Sequence, residues 1–326
     1  MMRIVRKQMA AVLCATIAAL LAGRAEAQWP QRPVTLVVPF GAGGNVDTFA
    51  RIVANHLNVA LGHPVIVENR VGASGNIALA SVARAPADGY TLVVGSVGTH
   101  GAGPFLFSKL SFDAARDFQP VASITANQPQ LLVVRPGLDI KTVAELIAFL
   151  KNNPNKLTFG SAGIGTSIHL AAESFMVATG TKMTHVPFRS SNEIMTSLVG
   201  AHIDLAFDNM PIAWPQAKAG KIRAIAVTSP RRSPTAPDVP AVAETVPNFD
   251  VTGWMGLFAP AGTPRPIVDR LANELARILE LEEVKAKFAE LGAEPAVMNA
   301  DTFAAYVSSE RAKWGAVVKA AGGKLD

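Results

Sequence analysis

Val34-Thr-Leu-Val-Val-Pro-Phe40 runs directly into Gly41-Ala-Gly-Gly-Asn45, and Phe49, Ile52, Val53 and Leu57 follow at helical spacing. A short unbroken apolar run bounded by glycines predicts a buried strand and a turn, and the i, i+3, i+4 recurrence predicts an amphipathic helix. Strand, glycine loop and helix in that order open an α/β unit. The pattern continues outward. Pro64-Val-Ile-Val-Glu-Asn69 predicts a second strand, Gly72-Ala-Ser-Gly75 a loop and Ile77 to Ala85 a helix. After the Asp88-Gly89 turn, Tyr90-Thr-Leu-Val-Val-Gly95 predicts a third strand. Strands alternating with helices point to a parallel sheet with right-handed crossovers.

From Phe118 to Val134 the chain reads as extended, and a second α/β unit follows. Thr142-x-x-Glu145 is a capping box ahead of Val143, Leu146, Ile147 and Leu150. Strand Leu157-Thr-Phe159, loop Gly160-Ser-Ala-Gly-Ile-Gly165 and a helix with Ile168, Ala171, Ala172, Phe175 and Met176 on one face come next. A strand reaching Val186-Pro-Phe188 precedes Ser190-x-x-Glu193, which caps a helix with Ile194, Met195, Leu198 and Val199 on one side. Ile203–Phe207 and Ile222–Val227 predict two more strands.

The proline-rich stretch from Pro230 to Pro247 reads as a surface crossing back toward the first unit. Beyond it lie Gly253–Ala259, a helix with Ile267, Leu271, Leu275 and Leu279, and a last helix with Phe303, Val307, Trp314 and Val318. These helices have no sheet of their own, so they are expected on the first unit. The prediction is two domains, 28–124 plus 229–326 and 125–228, the first discontinuous.

The chain begins with Arg3, Arg6 and Lys7, an apolar stretch from Met9 to Leu21, and Ala25-Glu-Ala27. This order predicts a secretory signal peptide over residues 1–27, cleaved after Ala27; the apolar run is shorter than the ~20 residues of a spanning helix. The single cysteine, Cys14, lies in that segment, so the mature chain has no thiol for a disulfide, a metal or catalysis. Without Arg3, Arg6, Lys7, Arg24 and Glu26, the 30 basic and 25 acidic residues fall to 26 and 24. Scattered basic residues at near-neutral charge are not a nucleic-acid footprint.

Two glycine loops, Phe40 to Asp47 and Gly160 to His169, each follow a strand and open a helix. Helix starts expose unpaired N–H donors and a partial positive charge, which suits an anion. Thr166 and Ser167 either cap their own helix or donate hydroxyls to a carboxylate, and the two roles compete. Gly41-Ala-Gly43 does not continue as G-x-G-x-x-G, and no phosphate-binding loop with lysine occurs. Gly165-Thr-Ser167-Ile-His169 departs from a nucleophile elbow because His169 stands at its second glycine. The six histidines show no metal-binding spacing, no cofactor motif is present, and His169 is the one histidine expected near the cleft.

Arg32 to Asp47, Val67-Glu-Asn-Arg-Val-Gly-Ala-Ser-Gly-Asn76, Asp88-Gly-Tyr-Thr-Leu92, Gly160 to Ser167, His185-Val-Pro-Phe188 and Pro240 with Glu244 occur in one order along the chain. Together they resemble the substrate-binding proteins of tripartite tricarboxylate transporters, the Bug family. The resemblance implies a periplasmic type II binding-protein fold, two α/β domains joined by a hinge with the ligand cleft between them. It implies a carboxylate held by a proximal loop, Phe40, Gly41, Ala42, Gly43, Gly44, Asn45, Asp47 and Thr48, and a distal loop, Ser161, Ala162, Gly165, Thr166 and Ser167. Ser96 and Asp208 are implied as cleft residues, and a two-component membrane permease as partner. Two departures stand out: Val46 replaces the family's common Thr, and Phe188-Arg-Ser190 replaces Tyr-Lys-Gly. Arg189 is either a cleft cation or a solvated side chain.

The expected function is therefore a monomeric, non-enzymatic periplasmic receptor that captures a small mono- or dicarboxylate, aromatic acids included, for uptake. A periplasmic sensor feeding a signalling kinase is the alternative. An extracellular hydrolase with Ser167 as nucleophile is a third.

Overall fold

The computed structural model describes residues 29–320, so the signal segment and its cleavage after Ala27 lie outside the described residues. β1 (Val34–Val38) leads through the first glycine loop to α1 (Asn45–Leu61), then β2 (Val65–Asn69), α2 (Asn76–Ala83) and β3 (Thr91–Ser96). β1 pairs in parallel with both β2 and β3. Phe49, Val53 and Leu57 bury the inner face of α1 as their spacing predicts, whereas Ile77 at the start of α2 is exposed. A π-helical turn, Val97–Ala102, and the short α3 (Gly103–Leu106) follow.

β4 (Phe118–Gln128) and β5 (Gln130–Val134) are one extended run broken at Pro129, where the chain changes sheets. Proline has no N–H to give a ladder, so the break falls where pairing changes partner. The second unit is α4 (Val143–Asn152), β6 (Thr158–Ser161), α5 (Ser167–Thr179), β7 (Thr184–Pro187), α6 (Ser191–Val199), β8 (Leu205–Asn209), α7 (Met210–Lys218) and β9 (Arg223–Val227). Thr142 and Ser190 cap α4 and α6 through the N–H groups of Glu145 and Glu193. Val199, expected on the apolar face of α6, is exposed at its last turn. The chain then returns as β10 (Gly253–Pro260), α8 (Arg265–Glu280), α9 (Glu282–Glu290) and α10 (Ala300–Ala320).

The two sheets have strand orders β2-β1-β3-β10-β4 and β7-β6-β8-β5-β9. The three strands of the first unit pair in parallel as expected, but neither sheet as a whole is parallel. β10 runs antiparallel to β3 and β4, and β5 antiparallel to β8 and β9. The reason is connectivity: a strand entering from the other sheet arrives at the opposite end from one delivered by a crossover helix. At the crossing, Gln130 and Thr228 tie the outgoing and returning segments together, Gln130 N–H donating to Thr228 Oγ1 (2.9 Å) and Thr228 N–H to the Gln130 carbonyl (2.9 Å).

Every residue of β10 is buried. α8 and α10 pack against β4, so the C-terminal helices cover the first sheet as expected. At the base of β10, Glu310 Oε2 accepts hydrogen bonds from both Trp254 Nε1 (3.0 Å) and Trp314 Nε1 (2.9 Å), and both indoles are buried. Removing the acceptor strands two buried donors, each costing on the order of 1–3 kcal/mol. Glu310→Ala is therefore expected to lower unfolding free energy by about 2–4 kcal/mol, and urea denaturation checks it.

Candidate functional site

β1, β3, β6, β7 and β8 all end at one place, where the edges of the two sheets face each other. Ligands of open α/β sheets collect at such carboxyl ends, because the loops there lead into helix starts. The first intrahelical bond of α1 is Thr48 N–H to the Gly44 carbonyl (2.9 Å), and Gly44 has no side chain to cap with. The N–H groups of Asn45 and Val46 thus have no acceptor within the helix. In α5, the Thr166 hydroxyl caps His169 N–H (3.4 Å) and leaves those of Ser167 and Ile168. In α6, Ser190 caps Glu193 N–H (3.3 Å) and leaves that of Ser191.

These three helix starts line one cavity of about 50 Å³, room for roughly four waters. Phe40, Gly41, Gly44, Asn45, Val46, Ser96, Gln128, Gly253, Trp254 and Met255 form the wall from the first lobe; Ala162, Thr166, Ser167, Ile168, Ser190, Ser191 and Asn209 form the other. None of these side chains is charged. Positive potential in the cavity comes instead from peptide dipoles, strengthened by low dielectric. Larger depressions exist, about 680 Å³ behind the crossing and about 570 Å³ on the outer face of α6 and α7. Neither gathers several strand ends, so chemistry rather than size selects the smaller cavity.

The lobes touch across it. Asn192 Nδ2 donates to the Gly43 carbonyl (3.3 Å), and Gly98 lies so near the Gly165 carbonyl that a side chain there would stand 3.0 Å from its oxygen. Gly165 itself has φ +79, and a Cβ on it would meet Leu106 Cδ1 at 2.6 Å, so this turn requires glycine. Asn45 and Gln128 exchange a reciprocal pair of amide hydrogen bonds (3.1 Å each), joining the proximal loop to the end of β4.

Of the residues singled out from the sequence, Phe40, Gly41, Gly44, Asn45, Ser96, Ala162, Thr166 and Ser167 line the cavity. Others do not, for identifiable reasons. Ala42 and Gly43 sit exposed at the lip, and Thr48 turns back to bond the Gly44 carbonyl (2.9 Å). Asp47 is buried and saturated, accepting from Gly43 N–H, Arg51 Nε and Asn69 Nδ2 (2.8 Å each). Burial would raise its pKa, but hydrogen bonds from Arg51, Gly43 and Asn69 outweigh that and hold the carboxyl below its ordinary value. Phe188 packs over Gly160, Arg189 is exposed, and Asp208 lies buried behind Ser191 and Asn209. Thr166 uses its hydroxyl to cap His169 N–H and to bond the Gly163 carbonyl (2.8 Å), the capping side of its expected competition.

Ser161, Gly165 and His169 form the rear of the distal loop. His169 Nδ1 receives Gly165 N–H (3.3 Å) and Nε2 faces Glu173 (3.5 Å); Ser161 Oγ bonds His185 Nε2 (2.6 Å). Burial, with His185 beside it, pushes the pKa of His169 down to about 3, and burial pushes that of His185 down to about 4. Both rings are thus neutral supports. Ser167, the residue a hydrolase would need, makes no hydrogen bond to a histidine among the described residues, and both nitrogens of nearby His169 are engaged elsewhere.

Sequence reasoning missed Gln128, Ile168, Ser190, Ser191, Asn209, Gly253, Trp254 and Met255 as cavity residues. Ser190 carried a legible signal, its capping box, and applying the helix-start argument to it would have found the third loop. Gly253–Met255 arrive by the long return, and no local pattern announces their place.

The family described as Tripartite tricarboxylate transporter family receptor matches residues 49–323. Protein BugT of Bordetella pertussis is 33% identical over 299 residues, 91% of each chain. A structure of R. palustris Rpa4515 with adipate superposes with TM-score 0.88 at 38% identity, covering 91% of this chain and 100% of that one. MatC (Rpa3494) from Rhodopseudomonas palustris with bound malate gives 0.84 at 36% identity, covering 89% and 100%.

The Asp47 network makes a pH-dependent prediction. A depressed carboxyl pKa contributes stability above its unfolded value near 3.8, lost as pH falls through the folded value. Asp47→Asn is expected to cost about 2–3 kcal/mol at pH 7, and chemical denaturation should show that gap closing below pH 4.

Proposed function

Because the chain belongs to the tripartite tricarboxylate transporter receptor family, the Bug proteins, we propose that it is a periplasmic solute receptor that takes a small organic carboxylate into this cavity and delivers it to a two-component membrane permease. One observation carries the reading: three helix starts from two lobes converge on a cavity lined by no charged side chain. A carboxylate is the anion that such neutral donors hold well, since hydrogen bonds to a charged group contribute about 1.5–3 kcal/mol each. Five of them give roughly 7–15 kcal/mol, against an association cost of about 4–15 kcal/mol. Neither lobe alone supplies enough, so capture needs both.

The lobes turn about the crossings at Pro129 and beyond Thr228; β4 carries the first lobe on to Gln128, four residues past the boundary expected at 124. The adipate and malate in the two Rhodopseudomonas palustris structures support a carboxylate here. Phe40, Val46, Ile168, Trp254 and Met255 offer an apolar wall, which suits a ligand with a hydrocarbon body. Val46 is one of the sequence's departures from its family, so part of the selectivity lies there.

Millimolar adipate, malate or benzoate is expected to raise the melting temperature of the purified protein, with about 2.7 kcal/mol of stabilisation at a hundred times Kd. Silence across a broad carboxylate panel would sink the proposal. Asn192→Ala removes the interlobe bond to Gly43, an exposed contact. It should weaken carboxylate binding by a few-fold, in keeping with about 0.5–1.5 kcal/mol for one hydrogen bond, while the ligand-free melting temperature stays put.

A further inference from the structure

Asp208 lies at the end of β8 and is fully buried. Its Oδ1 accepts from Ser191 Oγ (2.7 Å) and from Asn209 N–H (2.7 Å), with Asn209 Nδ2 at 3.5 Å. Its Oδ2, equally buried, has no hydrogen-bond partner among the described residues. Ser191 and Asn209 both line the cavity, so this carboxyl stands one hydrogen bond behind the ligand wall. Glu310 also stands behind the wall, through Trp254, but two indole donors satisfy it; among the described residues Asp208 is the carboxyl so placed with a buried oxygen unpaired.

We propose that Asp208 is a specificity-determining residue that couples carboxylate capture to a proton: the occupied cavity holds Asp208 as the neutral acid, with the proton, taken from water, on Oδ2. The proposal rests on the carboxylate reading above and adds the charge state of the site. An ionised carboxyl with one oxygen unpaired in a protein interior is costly, and the neutral acid much less so. A ligand carboxylate accepting from the Ser191 N–H would stand on the order of 6–8 Å from Asp208, since two hydrogen bonds and the Oγ-to-N span of Ser191 lie between them. At an effective dielectric near 20, that proximity disfavours two negative charges by roughly thirty- to a hundredfold.

The surroundings offer no compensating cation. The elements packed on β8 carry His169 and Glu173 on α5, Glu193 on α6 and Lys218 on α7, while β5 and β6 carry no titratable group. His169 is neutral at physiological pH, Glu193 accepts the Arg189 N–H, and Lys218 lies over Trp214. Burial has already pushed the Asp208 carboxyl up to about 6, against the lowering effect of Ser191 and Asn209. Ligand charge must push it further in the same direction. By linkage, a group whose pKa rises on binding makes binding tighter at lower pH.

The test is titration calorimetry with adipate and malate between pH 6.5 and 8.5, where the carboxyls of both probes stay ionised. Binding is expected to weaken at least tenfold across that range, and Asp208→Asn is expected to bind with a flat profile. At pH 7, wild-type protein measured in two buffers of different protonation enthalpy should take up close to one proton per ligand, a readout that survives if the variant fails to fold. A flat wild-type profile with no proton uptake overturns the coupling and leaves carboxylate capture standing. A slope retained in Asp208→Asn overturns the assignment to Asp208. No binding of either probe at any pH overturns both readings.

Discussion

A helix cannot satisfy its own first N–H groups, and this structure turns that constraint into its working surface. Each lobe ends its strands on the same edge, so the helices that follow must all begin there, and their unpaired donors point into the space between. Some are satisfied internally, by Thr166, Ser190 and the carboxyl of Asp47. Those at Asn45, Val46, Ser167, Ile168 and Ser191 are left to face the cavity. The division is economical: capping fixes the loops, and the remainder stay open to an anion.

Behind this surface, ionisable groups are arranged to keep it free of fixed charge. Asp47 faces inward and is neutralised by Arg51, His169 and His185 are held unprotonated by burial, and Arg189 points to water. A fixed cation in the cavity would bind anions tightly but would lack discrimination between them. Dipoles from fixed backbone act over short range and demand a geometry.

Much of this was legible in the sequence. The alternation of strand, glycine loop and helix was local information, carried by Val34–Leu57 and again by Leu157–Met176. Two of the three helix starts followed from glycine content. The antiparallel strands were not legible, because β5 and β10 owe their direction to partners far away in the chain. The same holds for Gln128 and Trp254, whose place in the cavity is set by the crossing and by packing against Glu310. Asp208 and His169, expected in the cleft, lie beneath its wall, since sequence spacing gives direction along a chain and not depth.

The insertion of β10 between β3 and β4 has a consequence for how the molecule comes into being. The first sheet has a gap at its centre until residues 253–260 are available, because β3 and β4 have no ladder to each other. The strands of the second sheet are contiguous in sequence, and its core is completed by residues just after them, Ala236 to Phe249. On a ribosome the interior segment therefore completes first, and the lobe that carries the proximal loop waits for the last quarter of the chain. A polypeptide built this way keeps four of its ten described strands, β1 to β4, in an incomplete sheet until translation is nearly finished, a long window in which a chaperone can hold it unfolded.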